Sequence, residues 1–203
     1  MDAPGSGDYN PSDPMNKTVS IAIETSCRAG GVAVGLGEQL IDQAAFDTSR
    51  RHAGQIIGRL ADMLSAADLK PSQIDNVYVS AGPGSFTGLR VGITVARTLG
   101  QFVEGAQCVA VPSHLAVAES ARDLSWEHLG VVLDAGDGCV SAVTFKRPGN
   151  AVVADAPAST MPAEQFLAAI PRPILLIGEG LWYHELVGDG ITLHEFTGEC
   201  DPP

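Results

Sequence analysis

AGPGSFTGLRVG, residues 81–92, is the stretch around which the chain is organised. The apolar run before it, residues 76–80, predicts a short buried strand, and residues 86–104 after it have the periodicity of one long helix. Gly82 and Gly84 allow the backbone to turn sharply between these two elements. The stretch therefore predicts a strand, a glycine-rich turn and the start of a helix.

The other residues of this loop suit the same arrangement. Pro83 fixes one φ angle between the two glycines, and Ser85 is placed to cap the helix. Thr87 and Gly88 then fall in the first helical turn. A turn of this kind presents free backbone N–H groups at the positive end of a helix, where a phosphate can bind.

Three known motifs come close to this spacing, but none of them fits it. A P-loop requires a lysine after its last glycine, and no lysine follows Gly88. The dinucleotide fingerprint has its third glycine one residue earlier, and a nucleophile elbow needs glycines where Pro83 and Thr87 stand. Two interpretations stay open, a tight turn with packing glycines and an anion site.

The composition restricts the classes of function. The 203 residues include 24 acidic and 12 basic side chains, which gives a formal net charge of −12. Because phosphate contacts dominate affinity for nucleic acids, such a chain is expected to act on RNA only through a partner. The sequence contains no apolar run long enough to span a membrane. The cysteines form no C-x-x-C pair, which argues against a zinc site and favours the reducing cytoplasm.

Two parts of the sequence resemble each other. Residues 21–24 and residues 131–134 both form an apolar run that ends in an acid, and a turn and two further strands follow each run. The repeat predicts a first lobe of residues 18–112 and a smaller second lobe of residues 113–203, after a disordered extension of residues 1–17. Two such lobes, with their acidic turns facing a cleft, are typical of the α/β actin, Hsp70 and sugar-kinase-like (ASKHA) fold, built here from a duplicated βββαβα unit.

The predicted long helix is apolar over most of its circumference. The first apolar stripe consists of Phe86, Leu89, Ile93, Ala96 and Gly100, and the second of Val91, Val95, Leu99 and Phe102. A helix of this kind is buried on more than one side. One side must cover its own sheet, so the other side needs another helix of this chain or a partner.

Three segments of the sequence resemble the TsaB (YeaZ) family, which comprises short relatives of the tRNA threonylcarbamoyl transferase TsaD. They are IAIETSCRAGGVAV near the start, RRHAGQIIGRLADML in the first predicted helix, and GPGSFTGLRVG in the organising loop. TsaD-like enzymes carry an H-x-x-x-H pair that holds a metal, and here His114 is followed four residues later by Ala118. The resemblance therefore implies a non-catalytic subunit with no catalytic residues and no metal.

The resemblance also implies the partners. TsaB-like proteins pair with TsaD, and with the ATPase TsaE, to place threonylcarbamoyl on the adenosine beside the anticodon of tRNAs, and they form homodimers when alone. Both kinds of pairing use the first two helices of the first lobe. The residues implied at the interface are Ile56, Arg59, Leu60, Met63, Phe86, Leu89, Arg90, Ile93 and Arg97. For the two arginines on the long helix, a solvated polar face is the competing interpretation.

The cleft leaves two interpretations as well. Glu24, Thr25, Ser26 and Asp134 are vestigial cleft residues in one interpretation, whereas in the other the acids bond N–H groups of their own turns. No cofactor is expected, except ATP or ADP at a partner interface. The family continues beyond the position of Pro203 into a further helical segment, so a reduced second lobe is expected. The alternative function is an ATP-binding or glycoprotease-like enzyme of the same fold.

Overall fold

The computed structural model of the chain describes residues 18–27, 29–47, 53–149 and 151–194. The predicted disordered extension lies outside these residues. The described part contains two mixed β-sheets with helices packed against them.

The first sheet contains five strands in the spatial order β3-β2-β1-β4-β5. Its strands are β1 (Val19–Glu24), β2 (Ala29–Leu36), β3 (Gln39–Asp47), β4 (Ile74–Ser80) and β5 (Gln107–Val111). β1, β2 and β3 form an antiparallel meander, while β1, β4 and β5 run parallel. The carboxyl ends of β1 and β4 therefore meet at one edge, where residue 24 and the organising loop lie.

The second sheet repeats this topology. Its strands are β6 (His128–Asp134), β7 (Cys139–Lys146), β8 (Val153–Ala154), β9 (Ser159–Pro162), β10 (Ile174–Ile177) and β11 (Ile191–Leu193). The order is β11-β10-β6-β7-β8, and β9 pairs with β7. β6 thus takes the central place that β1 has in the first sheet, parallel to β10 and antiparallel to β7. The predicted ASKHA fold with a duplicated unit is confirmed.

Four α-helices within the described residues cover these sheets. They are α1 (Ala53–Ala66), α2 (Phe86–Phe102), α3 (Ser113–Ser120) and α4 (Ala163–Ala169). α1 and α2 bury one apolar stripe each against one face of the first sheet, around Ile21, Ile23 and Val77. α3 packs on one face of the second sheet and α4 on the other. The second sheet is thus covered on both faces by described residues, whereas Ala22 and Tyr78 on the far face of the first sheet are exposed.

The second unit differs from the prediction where α2 would have its counterpart. The duplicated βββαβα unit predicts a helix after β10, but there the chain forms a short 3₁₀ turn, Glu179–Trp182, and then continues without regular structure up to β11. Gly178 and Gly180 lie against the backbone of Val132, where a side chain on either would collide. This close approach ties the turn to β6 before a helix can develop. Strand β9 was not predicted, because its sequence, STMP, has no clear alternation.

None of the helices in the described part of the chain is long and apolar enough to cross a membrane.

Candidate docking face and cleft

The organising loop packs closely against the turn that follows β1. Gly84 in the loop and Gly88 and Gly92 in α2 follow one another at intervals of four residues, and all three face the turn after β1. A β-carbon on Gly84 would collide with Ser26, and one on Gly88 or Gly92 would collide with Thr25. The spacing of the motif is therefore required by the close approach of the 25–26 turn to the helix.

Hydrogen bonds hold this contact in place. The backbone N–H of Ser85 donates to the carbonyl oxygen of Ser26 at 2.6 Å, and the N–H of Thr25 donates to Ser80 Oγ at 3.3 Å. Ser85 Oγ accepts from the N–H of Gly88 at 3.3 Å, as the predicted helix cap requires. Because two N–H groups at the start of α2 already have partners, the geometry favours the packing turn over the anion site.

The two acids at the ends of β1 and β6 occupy equivalent places. Glu24 Oε1 accepts from the N–H of Ser26 at 2.5 Å, and Asp134 Oδ1 accepts from the N–H of Gly136 at 3.3 Å. Each acid thus bonds the backbone two residues further on, which is the local role expected of a carboxylate in a turn. Asp134 also accepts from Nε2 of His184 at 2.9 Å, a pairing that the sequence did not suggest because 50 residues separate the two.

The two lobes meet at the turn after β1. Cys27 packs against the apolar cluster of the second sheet. Burial raises the pKa of its thiol to about 12, and the neighbouring Glu179 carboxylate and a hydrogen bond to it act in the same direction. A thiol with so high a pKa is a poor nucleophile at neutral pH. This environment indicates a structural role for Cys27.

His114 lies at the start of α3 and is buried. Its Nε2 donates to the carbonyl oxygen of Ser141 on β7 at 3.0 Å, so this nitrogen is not free to bind a metal. Burial lowers the pKa of the imidazole below its ordinary value. Ala118, four residues on, is fully buried in the apolar cluster beneath α3. α3 is thus a packing element of the second sheet, and the described residues contain no group of three or more potential metal ligands.

A cavity of about 870 Å³ lies along the first sheet. Ala22 and Ala33 form part of its apolar floor, and its polar lining residues are Glu24, Gln43, Arg59, Tyr78 and Ser80. Among the described residues of the lining, Glu24 is the single carboxylate, and none is a histidine, cysteine or lysine. The cavity therefore offers no imidazole, thiol or amine for nucleophilic or base catalysis.

The outward side of α2 carries exposed apolar and cationic side chains together. Phe86 is 74% exposed and Phe102 is 83% exposed. The Arg90 guanidinium lies 5.4 Å from the centre of the Phe86 ring. Leu89 is half-buried, and so is Ile93, which packs against the edge of the core. Each of the two apolar stripes of the sequence is thus partly covered by the chain itself and partly open to solvent, with Phe86 exposed in the first stripe and Phe102 in the second.

The interface residues predicted on α1 need a correction. Ile56, Leu60 and Met63 lie in the core of the first lobe, and Ile56 is only 1% exposed. Side chains that support the sheet cannot form a docking surface, because their contacts are already made within the chain. Ile57 is the exposed one, at 48%, and was missed because the apolar periodicity alone does not say which of two adjacent isoleucines faces inward. Arg59 is exposed, as are Arg90 and Arg97 on α2.

The fold and this site define a two-lobed ASKHA protein whose first lobe presents a helical face and whose cleft acids bond their own turns. Among solved structures it is similar to a Pseudomonas aeruginosa protein described as uncharacterized with similarity to peptidase YeaZ, with a TM-score of 0.75 and 22% identity over 87% of this chain and 82% of that one. The family model for TsaD, tRNA N6-adenosine threonylcarbamoyltransferase, matches residues 46–173. The chain therefore belongs to this family.

The curated relatives include both TsaB and TsaD proteins. The tRNA threonylcarbamoyladenosine biosynthesis protein TsaB of Bacillus subtilis is 24% identical over 168 residues, which are 81% of this chain and 72% of that protein. The tRNA N6-adenosine threonylcarbamoyltransferase of Tropheryma whipplei is 31% identical over 133 residues, 57% of this chain but 33% of that enzyme. The chain thus spans about a third of the length of that enzyme. The resemblance to TsaB (YeaZ) that the motifs indicate is confirmed.

Proposed function

We propose that this chain is a non-catalytic subunit in tRNA threonylcarbamoyladenosine biosynthesis, which pairs with the TsaD transferase through α1 and α2. The exposed face of these helices carries the proposal, because Phe86, Arg90 and Phe102 present apolar and cationic groups that the described residues do not cover. Aromatic and arginine side chains of this kind dominate the energetics of protein interfaces. TsaE is a further subunit in this proposal.

The same proposal gives the chain no chemistry of its own. The imidazole of His114 is engaged by the backbone, and both cleft acids bond the turns that follow them. A net charge of −12 favours contact with tRNA only through the partner, in the cytoplasm. The chain by itself holds no cofactor in this proposal, and ATP or ADP would lie at the partner interface. The family resemblance also implies that a second copy of the chain can bind to the same face and form a homodimer.

Co-expression with the TsaD protein of the same organism, followed by size-exclusion chromatography with light scattering, tests the pairing. We expect a stoichiometric complex, which Phe86→Glu disrupts while leaving the folded chain intact. Val187→Glu is the matched control, since Val187 is an exposed apolar residue of the second lobe, at 58%. A wild-type chain that does not bind TsaD, or a Phe86→Glu chain that binds it as the wild type does, would contradict the proposal.

The cavity beside Glu24 favours one rival, an ATP-binding or glycoprotease-like enzyme of the same fold. This rival predicts that the purified chain turns over ATP by itself and that Glu24→Ala abolishes the turnover. Absence of ATP turnover in the wild-type chain would eliminate the ATP-hydrolysing form of this rival.

A further inference from the structure

One segment of the second lobe contacts the turns that follow β1 and β6. It consists of residues 179–184, which begin as the 3₁₀ turn after β10. Its first residue, Glu179, accepts a hydrogen bond from the thiol of Cys27 in the turn after β1. Its last residue, His184, donates through Nε2 to Asp134 Oδ1 at the end of β6, at 2.9 Å. The 179–184 segment thus connects equivalent places in the two lobes.

Two glycines fix this segment on the second lobe. Gly178 and Gly180 flank Glu179, and a β-carbon on either glycine would collide with Val132 of β6. The φ angle of Gly178 is 118°, which residues with a side chain rarely adopt. The backbone of Glu179 therefore lies directly against β6, and its position is set by the second sheet.

The turn after β1 is fixed on the first lobe, at the start of α2. Thr25 and Ser26 lie against the glycines of the organising loop and helix, and the N–H of Ser85 donates to the carbonyl oxygen of Ser26 at 2.6 Å. Cys27 is the next residue, and it packs against the apolar cluster of the second sheet. Because a rigid peptide holds neighbouring α-carbons about 3.8 Å apart, a shift of Cys27 is passed on to Ser26.

The carboxylate of Glu179 is not needed for packing. An apolar side chain could cover the cluster beside Cys27 without the cost of removing a charge from water. The carboxylate instead accepts from a partly buried thiol, and a hydrogen bond to a charged group is stronger than one between neutral groups. The contact between the lobes at this point therefore depends on the orientation of two polar groups.

We propose that the 179–184 segment of the second lobe positions the start of α2, acting through Glu179, Cys27 and the carbonyl oxygen of Ser26. Glu179 and Cys27 are positioning residues, since they act on the helix through the turn after β1. Phe86 is the first residue of α2, so the same contacts also set the direction of its exposed ring. This coupling between the lobes does not depend on what the helix binds.

Amide hydrogen exchange of the full chain, measured by NMR, tests this positioning. Glu179→Ala should lower the protection of the Ser85 amide, at the start of α2, at least about tenfold. The amide of Val103 is bonded at the other end of the helix and should change less than about twofold. Glu185→Ala removes an exposed carboxylate just after the segment, and this control should leave both amides within about twofold. Unchanged protection of Ser85 in Glu179→Ala, or an equal loss at Val103, would overturn the proposal.

A pair of substitutions at Cys27 separates the hydrogen bond from packing. Cys27→Ala and Cys27→Ser both remove the sulfur, but only serine retains a donor for the Glu179 carboxylate. We expect Cys27→Ala to lower the protection of the Ser85 amide at least about tenfold, and Cys27→Ser to keep it within about threefold of the wild type. Equal losses in the two variants would overturn the role of the hydrogen bond.

The contact of His184 with Asp134 tests whether one segment carries the effect. His184→Ala releases the far end of the segment and should lower the protection of the Ser85 amide at least about threefold. Because His184→Ala and Glu179→Ala loosen the same segment, the loss in the double variant should be smaller than the product of the two single losses. A loss equal to that product would show that the two contacts act independently, and it would overturn positioning by a single segment.

Discussion

Gly88 of α2 lies so close to Thr25 that a β-carbon on the glycine would collide with the carbonyl oxygen of the threonine. This contact joins the end of the central strand of the first sheet to the helix that carries the proposed docking face. The glycine-rich motif is thus a condition for placing α2 on the sheet.

Replacing this glycine should destabilise the chain. We expect Gly88→Ala to lower the free energy of unfolding by about 1–3 kcal/mol, because either the helix or the 25–26 turn must move to admit the methyl group. Urea unfolding followed by circular dichroism measures the change. Gly58→Ala is the matched control, since that helical glycine faces open space and the substitution should stabilise the chain by up to about 1 kcal/mol. Equal effects at the two positions would contradict the close packing.

Adjacent isoleucines of α1 should respond in opposite ways. Ile56→Ala removes a fully buried side chain and should lower the free energy of unfolding by about 2–5 kcal/mol. Ile57→Ala changes a half-exposed side chain and should cost less than about 1 kcal/mol, while weakening the binding of TsaD. Thermal unfolding and a binding titration of both variants distinguish the two roles. A larger loss of stability in Ile57→Ala would mean that the helix is rotated.

His114 should make the stability of the chain depend on pH. Its pKa is lowered in the folded state, so below about pH 6.5 the unfolded chain takes up a proton that the folded chain resists. The free energy of unfolding should therefore fall as the pH drops through this range, whereas above it both states are neutral and the contribution is constant. His114→Gln keeps a donor for the Ser141 carbonyl but does not titrate. Urea unfolding measures the free energy of unfolding of both chains at each pH. As the pH falls below about 6.5, the wild type should lose more of this free energy than the variant does. A difference between the two chains that does not change with pH would reject this role of His114.

Cys27 should resist alkylation. Its thiol has a pKa of about 12, so little thiolate exists at pH 8, whereas Cys108 is exposed. In chains whose other cysteines are replaced by serine, we expect iodoacetamide to modify Cys27 at least about tenfold more slowly than Cys108. Glu179→Gln should accelerate the reaction of Cys27, because it removes a neighbouring negative charge. Comparable rates for the two cysteines would contradict the burial of Cys27 between the lobes.

The succession of strand, turn and helix in each part of the chain could be predicted from the sequence alone. The organising loop predicted the β4 strand, the sharp turn and the α2 helix with its Ser85 cap, because glycine, proline and capping residues act over a few positions. The repeat of residues 21–24 at residues 131–134 predicted the two units, since each strand and turn carries its own apolar pattern. The family was predicted from motifs such as the organising loop, whose glycine spacing is required by close packing against the 25–26 turn.

Only the tertiary structure decided which of the predicted residues are free to act. Ile56 lies in the core, whereas Ile57 is exposed. His114 bonds the backbone of β7, and Cys27 packs against the second lobe. Periodicity records that a side chain is apolar, but burial depends on the distant strands that the helix meets. The tertiary structure also showed that the glycines of α2 accommodate Thr25, while Gly54 and Gly58 meet open space, a difference that the identical four-residue spacing cannot reveal.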